Sequence, residues 1–363
     1  MIKFTTIMFL IVILSGCKCS KEEKNIQNNI LENKIAKLEK IEEIKIEETD
    51  SNLIGILSLF EVNLIEKTIL IADHIFYESK IFSDRGKFIK KIGKKGDGPG
   101  EFKSIDGIAE DFDYYYISDG LNRRISIFTK DGLFLRSIKV PSSIWFDSGE
   151  IIVRNNKIYM NSFESKYKVF WENHMTKQIA VLDTSGKTLY HFGDYPGIYK
   201  KYKLMWTMPK FDMDEEGNTY ISSWQSWQLS KYDRNRNLIK YFGMQGKYFK
   251  EVKESFRGNE AINELNDIGT KYSFVPKLKY GRNYIYQQYS NINENFFRTR
   301  SRLDKENYLM VYTKDGKYIK SDIKLPGGGM LDVDEDGIIY IEISDEPGNR
   351  IIGKYKIKII DED

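Results

Sequence analysis

One short hairpin occurs five times along this chain: Phe82-Ser-Asp-Arg-Gly86, Phe128-Thr-Lys-Asp-Gly132, Leu182-Asp-Thr-Ser-Gly186, Tyr232-Asp-Arg-Asn-Arg236 and Tyr312-Thr-Lys-Asp-Gly316. In each, a strand ends on a large apolar residue, a polar turn follows, and a second apolar strand begins. The intervals are 46, 54, 50 and 80 residues. Such a period means one supersecondary unit repeated, each copy burying its apolar faces against its neighbours. A four-stranded propeller blade has this length, with one blade enlarged. Composition agrees: of 363 residues 24 are Tyr and only five are Ala, a balance that suits pleated strands over helices. Formal net charge is +3, from 56 basic and 53 acidic residues. That mixed, solvated surface gives no bulk attraction to nucleic acid, and no nucleic-acid partner is expected.

The first residues read as a targeting segment. Lys3 precedes an apolar run from Ile7 to Leu14, too short to span a bilayer and flanked as a secretory signal is. Leu14-Ser15-Gly16-Cys17 then resembles the lipobox of bacterial lipoproteins, in which the Cys is acylated and becomes the new N-terminus. The resemblance implies a signal peptide over residues 1–16 and lipid attachment at Cys17. It also implies anchoring to a bacterial membrane, at the outer membrane or cell surface of the envelope. Cys19 is the other cysteine, so neither a disulfide framework nor a zinc–thiolate site can be built in the folded part. Residues 17–40 read as a charged tether. Ile26, Ile30, Leu31, Ile35 and Leu38 recur at steps that suit a short amphipathic helix.

From about residue 41 to 363 the units can be laid out. In blade two Gly107–Asp111, Tyr114–Ser118, Arg124–Phe128 and Leu133–Ile138 read as four strands joined by turn residues. The last unit begins at Met330, has three strands, and then the chain stops. An N-terminal strand bearing Ile44 and Ile46 is expected to supply its missing outer strand, leaving no open edge at the seam. The fold class is therefore all-β: a six-bladed propeller of four-stranded antiparallel blades with the N-terminal strand closing the last one.

Several residues of blades one and two carry a family resemblance. Gly93-Lys-Lys-Gly-Asp-Gly-Pro-Gly-Glu-Phe102, Gly107-Ile-Ala, Ile117-Ser-Asp119, Asn122, Arg124-Ile125 and Asp131-Gly132 resemble NHL-type repeats, and six-bladed β-propeller lipoproteins built from them. That family carries no single activity; its members include protein-binding and ligand-binding domains and some lyases. No cofactor is implied.

Local motifs add little chemistry. Asp332-Val-Asp-Glu-Asp-Gly337 imitates the start of a calcium loop, but position twelve is Ile343, and Asp212-Met-Asp-Glu-Glu-Gly217 repeats the pattern in blade four. Both read as hairpin turns. Gly96–Gly100 lacks the Gly-Lys-Ser/Thr and helix of a phosphate cradle and reads as a tight crossover. Gly-x-Ser-x-Gly and His-Glu-x-x-His are both missing from the sequence.

In a propeller, the loops between strands two and three and those between blades emerge on one face. The long connections here are all of those two kinds: 164–177, 194–209, 244–273 and 291–307. A scaffold elaborated on one face carries function there. Candidate ligand-binding residues on this face are Trp171, His174, Arg298 and Arg300 on the long loops, Trp224 and Trp227 on the short loop of blade four, and Arg123 on the matching turn of blade two, the aromatics for stacking and the arginines for acidic groups. An extended segment would place Arg298, Arg300 and Arg302 on one side. The expected activity is non-catalytic binding of a protein, peptide or glycan. The alternative is a metal-dependent lactonase or lyase with carboxylates at the channel mouth.

Overall fold

The computed structural model describes residues 30–141, 144, 150–161, 177–202, 208–254, 269–299 and 301–362. Five blades are continuous in sequence. In blade one the strands are Leu57–Asn63, Thr68–Asp73, Glu78–Ser83 and Phe88–Ile92. They pair antiparallel in sequence order, and blades two, three, four and five repeat that order. The second and third strands of each blade are almost wholly buried, while the outermost alternates between buried and exposed positions. Neighbouring blades cover both faces of the middle strands, so those strands are buried along most of their length and mainly apolar. Six hydrophobic clusters form the core of the described residues, one at each seam between blades. That between blades one and two joins Leu70, Ile81 and Ile92 to Ile108, Ile117 and Phe128.

The five hairpins of the sequence are the turns between third and fourth strands. At the fifth position Gly86, Gly132, Gly186, Arg236 and Gly316 all have positive φ, from 71° to 91°. Each donates its N–H to the carbonyl three residues earlier, as Gly132 does to Thr129 at 2.8 Å. This is a type I turn closed by a left-handed residue and a bulge; Arg236 accepts a conformation that glycine adopts freely.

The sixth blade closes the ring. Its strands Met330–Val333, Ile338–Ser344 and Ile351–Asp361 are completed by Ile30–Lys45. That strand pairs antiparallel with Ile351–Asp361, from Lys34 opposite Asp361 to Lys45 opposite Ile351. It also touches Tyr318 and Lys320 on the outer strand of blade five, in parallel. The closing strand is thus longer than the sequence suggests. Residues 30–40 belong to the propeller, not to a tether, and form strand where the apolar spacing suited a helix. The partner strand decides this: it offers eleven residues of backbone hydrogen-bonding edge, which no isolated short helix could match in stability. Because the strand runs opposite to Ile351–Asp361, its Ile30 end lies on the face of the strand-one-to-two turns. Its Lys45 end lies on the loop-rich face.

Candidate functional site

The innermost strands surround a channel, and alternation along each strand aims every second side chain into it. Blades one to six contribute Glu61, Glu110, Glu150, Asp212, the pair Lys277 and Lys279, and Asp332; the first six of these line an enclosed space of about 170 Å³. Lys279 Nζ is 2.8 Å from Asp332, and Lys277 Nζ is 3.6 Å from Glu150. Two of the carboxylates also clasp the next blade: Asp212 accepts the Tyr280 N–H at 2.9 Å and Asp332 the Val62 N–H at 3.0 Å. Burial pushes Glu61 well above the usual carboxylate range, and the Glu110 charge adds to it. Burial acts the same way on Glu150, but Lys277, Lys210 and Lys279 together outweigh it and hold that carboxyl at about 2. Among the described residues no group of three or more His, Cys, Asp or Glu is placed to hold a metal ion. Both channel lysines come from blade five, facing carboxylates from the other five blades.

Above the channel, on the loop-rich face, opens a cleft of about 410 Å³. Its walls come from the two kinds of connection that were expected to share a face. Ile56, Ile105, Met208, Phe274 and Gly328 lie on or beside crossovers between blades; His74, Trp224, Arg302 and Lys305 lie on or beside loops between second and third strands. Trp224 stacks on Phe274, ring centres 4.8 Å apart and planes 26° apart. Lys210 Nζ is 6.0 Å from the Trp224 ring centre, and Lys305 Nζ is 5.5 Å from that of Phe274 and 4.1 Å from that of Phe296. The stacked pair is therefore bracketed by two ammonium groups. Arg302 donates to the Ser58 carbonyl at 2.9 Å and faces the Glu342 carboxylate. Behind this wall Gln288, Ser290 and Asn307 bond one another, Ser290 Oγ donating to Asn307 Oδ1 at 2.6 Å.

Of the candidate residues, Trp224 lies in this cleft. Trp227 packs instead against the seam between blades four and five. Arg123, at φ 52°, donates to the Pro141 carbonyl at 2.6 Å and to that of Ile144, so its guanidinium binds a crossover between blades. Arg298 is exposed on a short helix, Glu294–Thr299, and donates to Asn295 Oδ1 at 3.2 Å. The extended segment expected around it is absent: Asn293 Oδ1 accepts the Phe296 N–H and nucleates the helix, and a 3₁₀ turn, Arg302–Asp304, follows. Cys17, Trp171, His174 and Arg300 lie outside the described residues. Sequence reasoning missed Lys210, Phe274 and Lys305. Nothing local marks them, since Lys210 and Phe274 look like ordinary strand residues.

The tempting motifs are structural. Asp334 Oδ1 accepts the Ile338 N–H at 2.9 Å and Asp214 Oδ1 that of Asn218 at 2.9 Å, so both calcium-like stretches are hairpin turns. In the Gly96–Gly100 crossover the Glu101 carboxylate takes the Gly98 N–H at 2.8 Å, and Arg124 donates to the Gly98 carbonyl at 2.8 Å. The loop supplies its own anion. Arg124 binds there rather than reaching Asp119, which accepts from Asn122 and from the crossover amides of Lys103 and Ser104.

These features define a six-bladed β-propeller with a charged central channel and an aromatic, basic cleft over one mouth. A family model described as a 6-bladed beta-propeller, DUF5128, matches residues 18–113, which take in the closing strand, blade one and the start of blade two. Among solved structures, a member of the DUF4221 family from Bacteroides vulgatus ATCC 8482 superposes with a TM-score of 0.72 at 17% identity, covering 90% of this chain and 99% of that one. A protein of Bacteroides fragilis NCTC 9343 gives 0.59 at 15% identity, covering 89% and 96%. At these identities the likeness is one of fold. No curated protein matches the sequence.

Proposed function

We propose that this chain is an envelope lipoprotein, anchored through Cys17, whose propeller binds a glycan, peptide or protein segment in the cleft of its loop-rich face without transforming it. The observation that carries the binding reading is the Trp224–Phe274 stack set between Lys210 and Lys305 in a recessed cleft. Stacked aromatics flanked by cations give a ligand apolar contact and charge recognition together. Among the described residues no helix is long and apolar enough to cross a membrane; the proposed attachment is through the lipid on Cys17. The closing strand enters at Ile30 on the face opposite the cleft. Residues 18–29 reach at most roughly 40 Å, so an anchor at Cys17 would hold the cleft facing away from the bilayer.

Two measurements test this. Cys17→Ser should abolish acylation seen by mass spectrometry and release the protein from membranes; a variant that stays membrane-bound contradicts the anchor. Trp224→Ala should weaken binding of an identified ligand about tenfold or more, as hot-spot truncation does. Trp227→Ala should act on stability instead. Equal loss of binding from both would place the ligand elsewhere.

A further inference from the structure

The cleft's charges do not balance. Asp106 is occupied by the Ser104 hydroxyl and the Gly120 N–H. Glu150 faces Lys277 at 3.6 Å, and Arg302 is held by Ser58 and Glu342. Lys210, only 8% exposed, acts together with Lys277 on Glu150. Lys305 remains: it is partly buried, and among the described residues no carboxylate lies within 4.0 Å of it. A partly desolvated cation without a counter-ion is costly, and a site that keeps one beside an aromatic pair is built for a negative group brought in from outside.

The shape restricts what that group belongs to. A recess of about 410 Å³ falls within the roughly 300–1,000 Å³ of small-molecule sites. The face of a folded protein needs on the order of 800 Å² of surface per partner. The lining combines a flat aromatic wall with amide and hydroxyl groups, Gln288, Ser290 and Asn307. A pyranose ring matches the aromatic wall, its C–H face covering a ring, while the amides and hydroxyl are bonded to one another and form a rigid polar floor. We infer that the cleft takes an acidic saccharide, whose ring lies against Trp224 and whose carboxylate or sulfate is met by Lys305. This rests on the binding reading above and deepens it.

The test is calorimetry on the full-length chain with four probes: a galacturonate trisaccharide, its methyl ester, a sulfated disaccharide and poly-glutamate. The trisaccharide or the sulfated disaccharide should bind, and which one binds separates carboxylate from sulfate recognition. The methyl ester should bind at least tenfold more weakly than the free acid where the acid binds. Lys305→Met should cost about tenfold or more, the scale of one hydrogen bond to a charged group, and Lys305→Arg should keep most of the affinity. Unchanged circular dichroism in both variants excludes unfolding as the cause. Binding of neither acidic saccharide at millimolar concentration overturns the inference. So does ester binding equal to acid. Poly-glutamate binding that depends on Lys305 and Trp224 would also overturn it, while leaving the cleft as a binding site for acidic peptides. Saccharide binding indifferent to both Trp224→Ala and Lys305→Met would remove the cleft itself, and the broader reading with it.

Discussion

Removing the charge of Lys305 should make this protein more stable. Its ammonium lies between Phe274 and Phe296 with Arg302 as the neighbouring charge. Burial, with Arg302 adding to it, pulls the lysine from the ordinary 10.5 down to about 7. That gap, about 3.5 pH units, corresponds to about 4.8 kcal/mol at roughly 1.36 kcal/mol per unit. Water reaches part of the side chain, and screening brings the figure to about 2 kcal/mol. The folded state holds this proton less tightly than the unfolded chain does. The cost is therefore full below pH 7, shrinks as pH rises from 7 toward 10.5, and vanishes above that. Lys305→Met keeps the length of the stem and removes the charge. Urea unfolding at pH 6 should show the variant about 2 kcal/mol more stable, with Tm raised by several degrees, and the gain should fall away by pH 9.5. No gain at pH 6, or a gain indifferent to pH, would mean that the ammonium is solvated or paired, and the unbalanced cleft would go with it.

Other consequences are equally direct. If an acidic saccharide binds beside Lys305, its affinity should be greatest below pH 7 and fall by up to tenfold per pH unit above, read by calorimetry across pH 6–9. Arg302, Lys210, Lys277, Asp106, Glu150 and His74 are the other charged or titratable groups of that cleft, and a flat profile would remove Lys305 from the contact. Gly86 and Gly132 occupy equivalent left-handed positions, so Gly132→Ala, whose Cβ meets nothing nearer than 3.5 Å, should cost about 1 kcal/mol in thermal unfolding. Gly86→Ala drives its Cβ into the Lys45 carbonyl and to 2.8 Å from Ile44, and should cost about 3 kcal/mol; equal costs would mean that the closing strand does not pack there. A chain starting at residue 46 loses the outer strand of blade six. It should melt at a markedly lower temperature than one starting at residue 30, and equal melting would contradict the closure.

Much of the fold was legible because its signals are local. A polar turn ending in a left-handed residue, glycine in four of the five copies, between two apolar strands is encoded in five residues, and the five copies reveal the repeat. The largely apolar middle strands, such as Tyr114–Asp119, mark seams covered on both sides. The closing strand was legible only at its end. Between Ile30 and Lys45 most residues are exposed and half are charged, which reads as a solvated tether. Its true partner, Ile351–Asp361, is some three hundred residues away. The site was harder still. Trp224 could be proposed from its loop, but Phe274 stacks on it from the next blade, and the arginine series was broken by a helix that an asparagine cap starts.

What the sequence by itself determined is the repeating unit, its turns and the all-β class, because each depends on neighbours a few residues apart. Only the tertiary structure decided how far the ring's last strand extends and which side chains share the cleft. Lys210 and Lys305 look like any of the 56 basic residues along the chain. They become distinctive through what surrounds them, burial beside two stacked rings and, for Lys305, no carboxylate within 4.0 Å among the described residues. Burial and the distance to a counter-charge are set only when the blades close on one another.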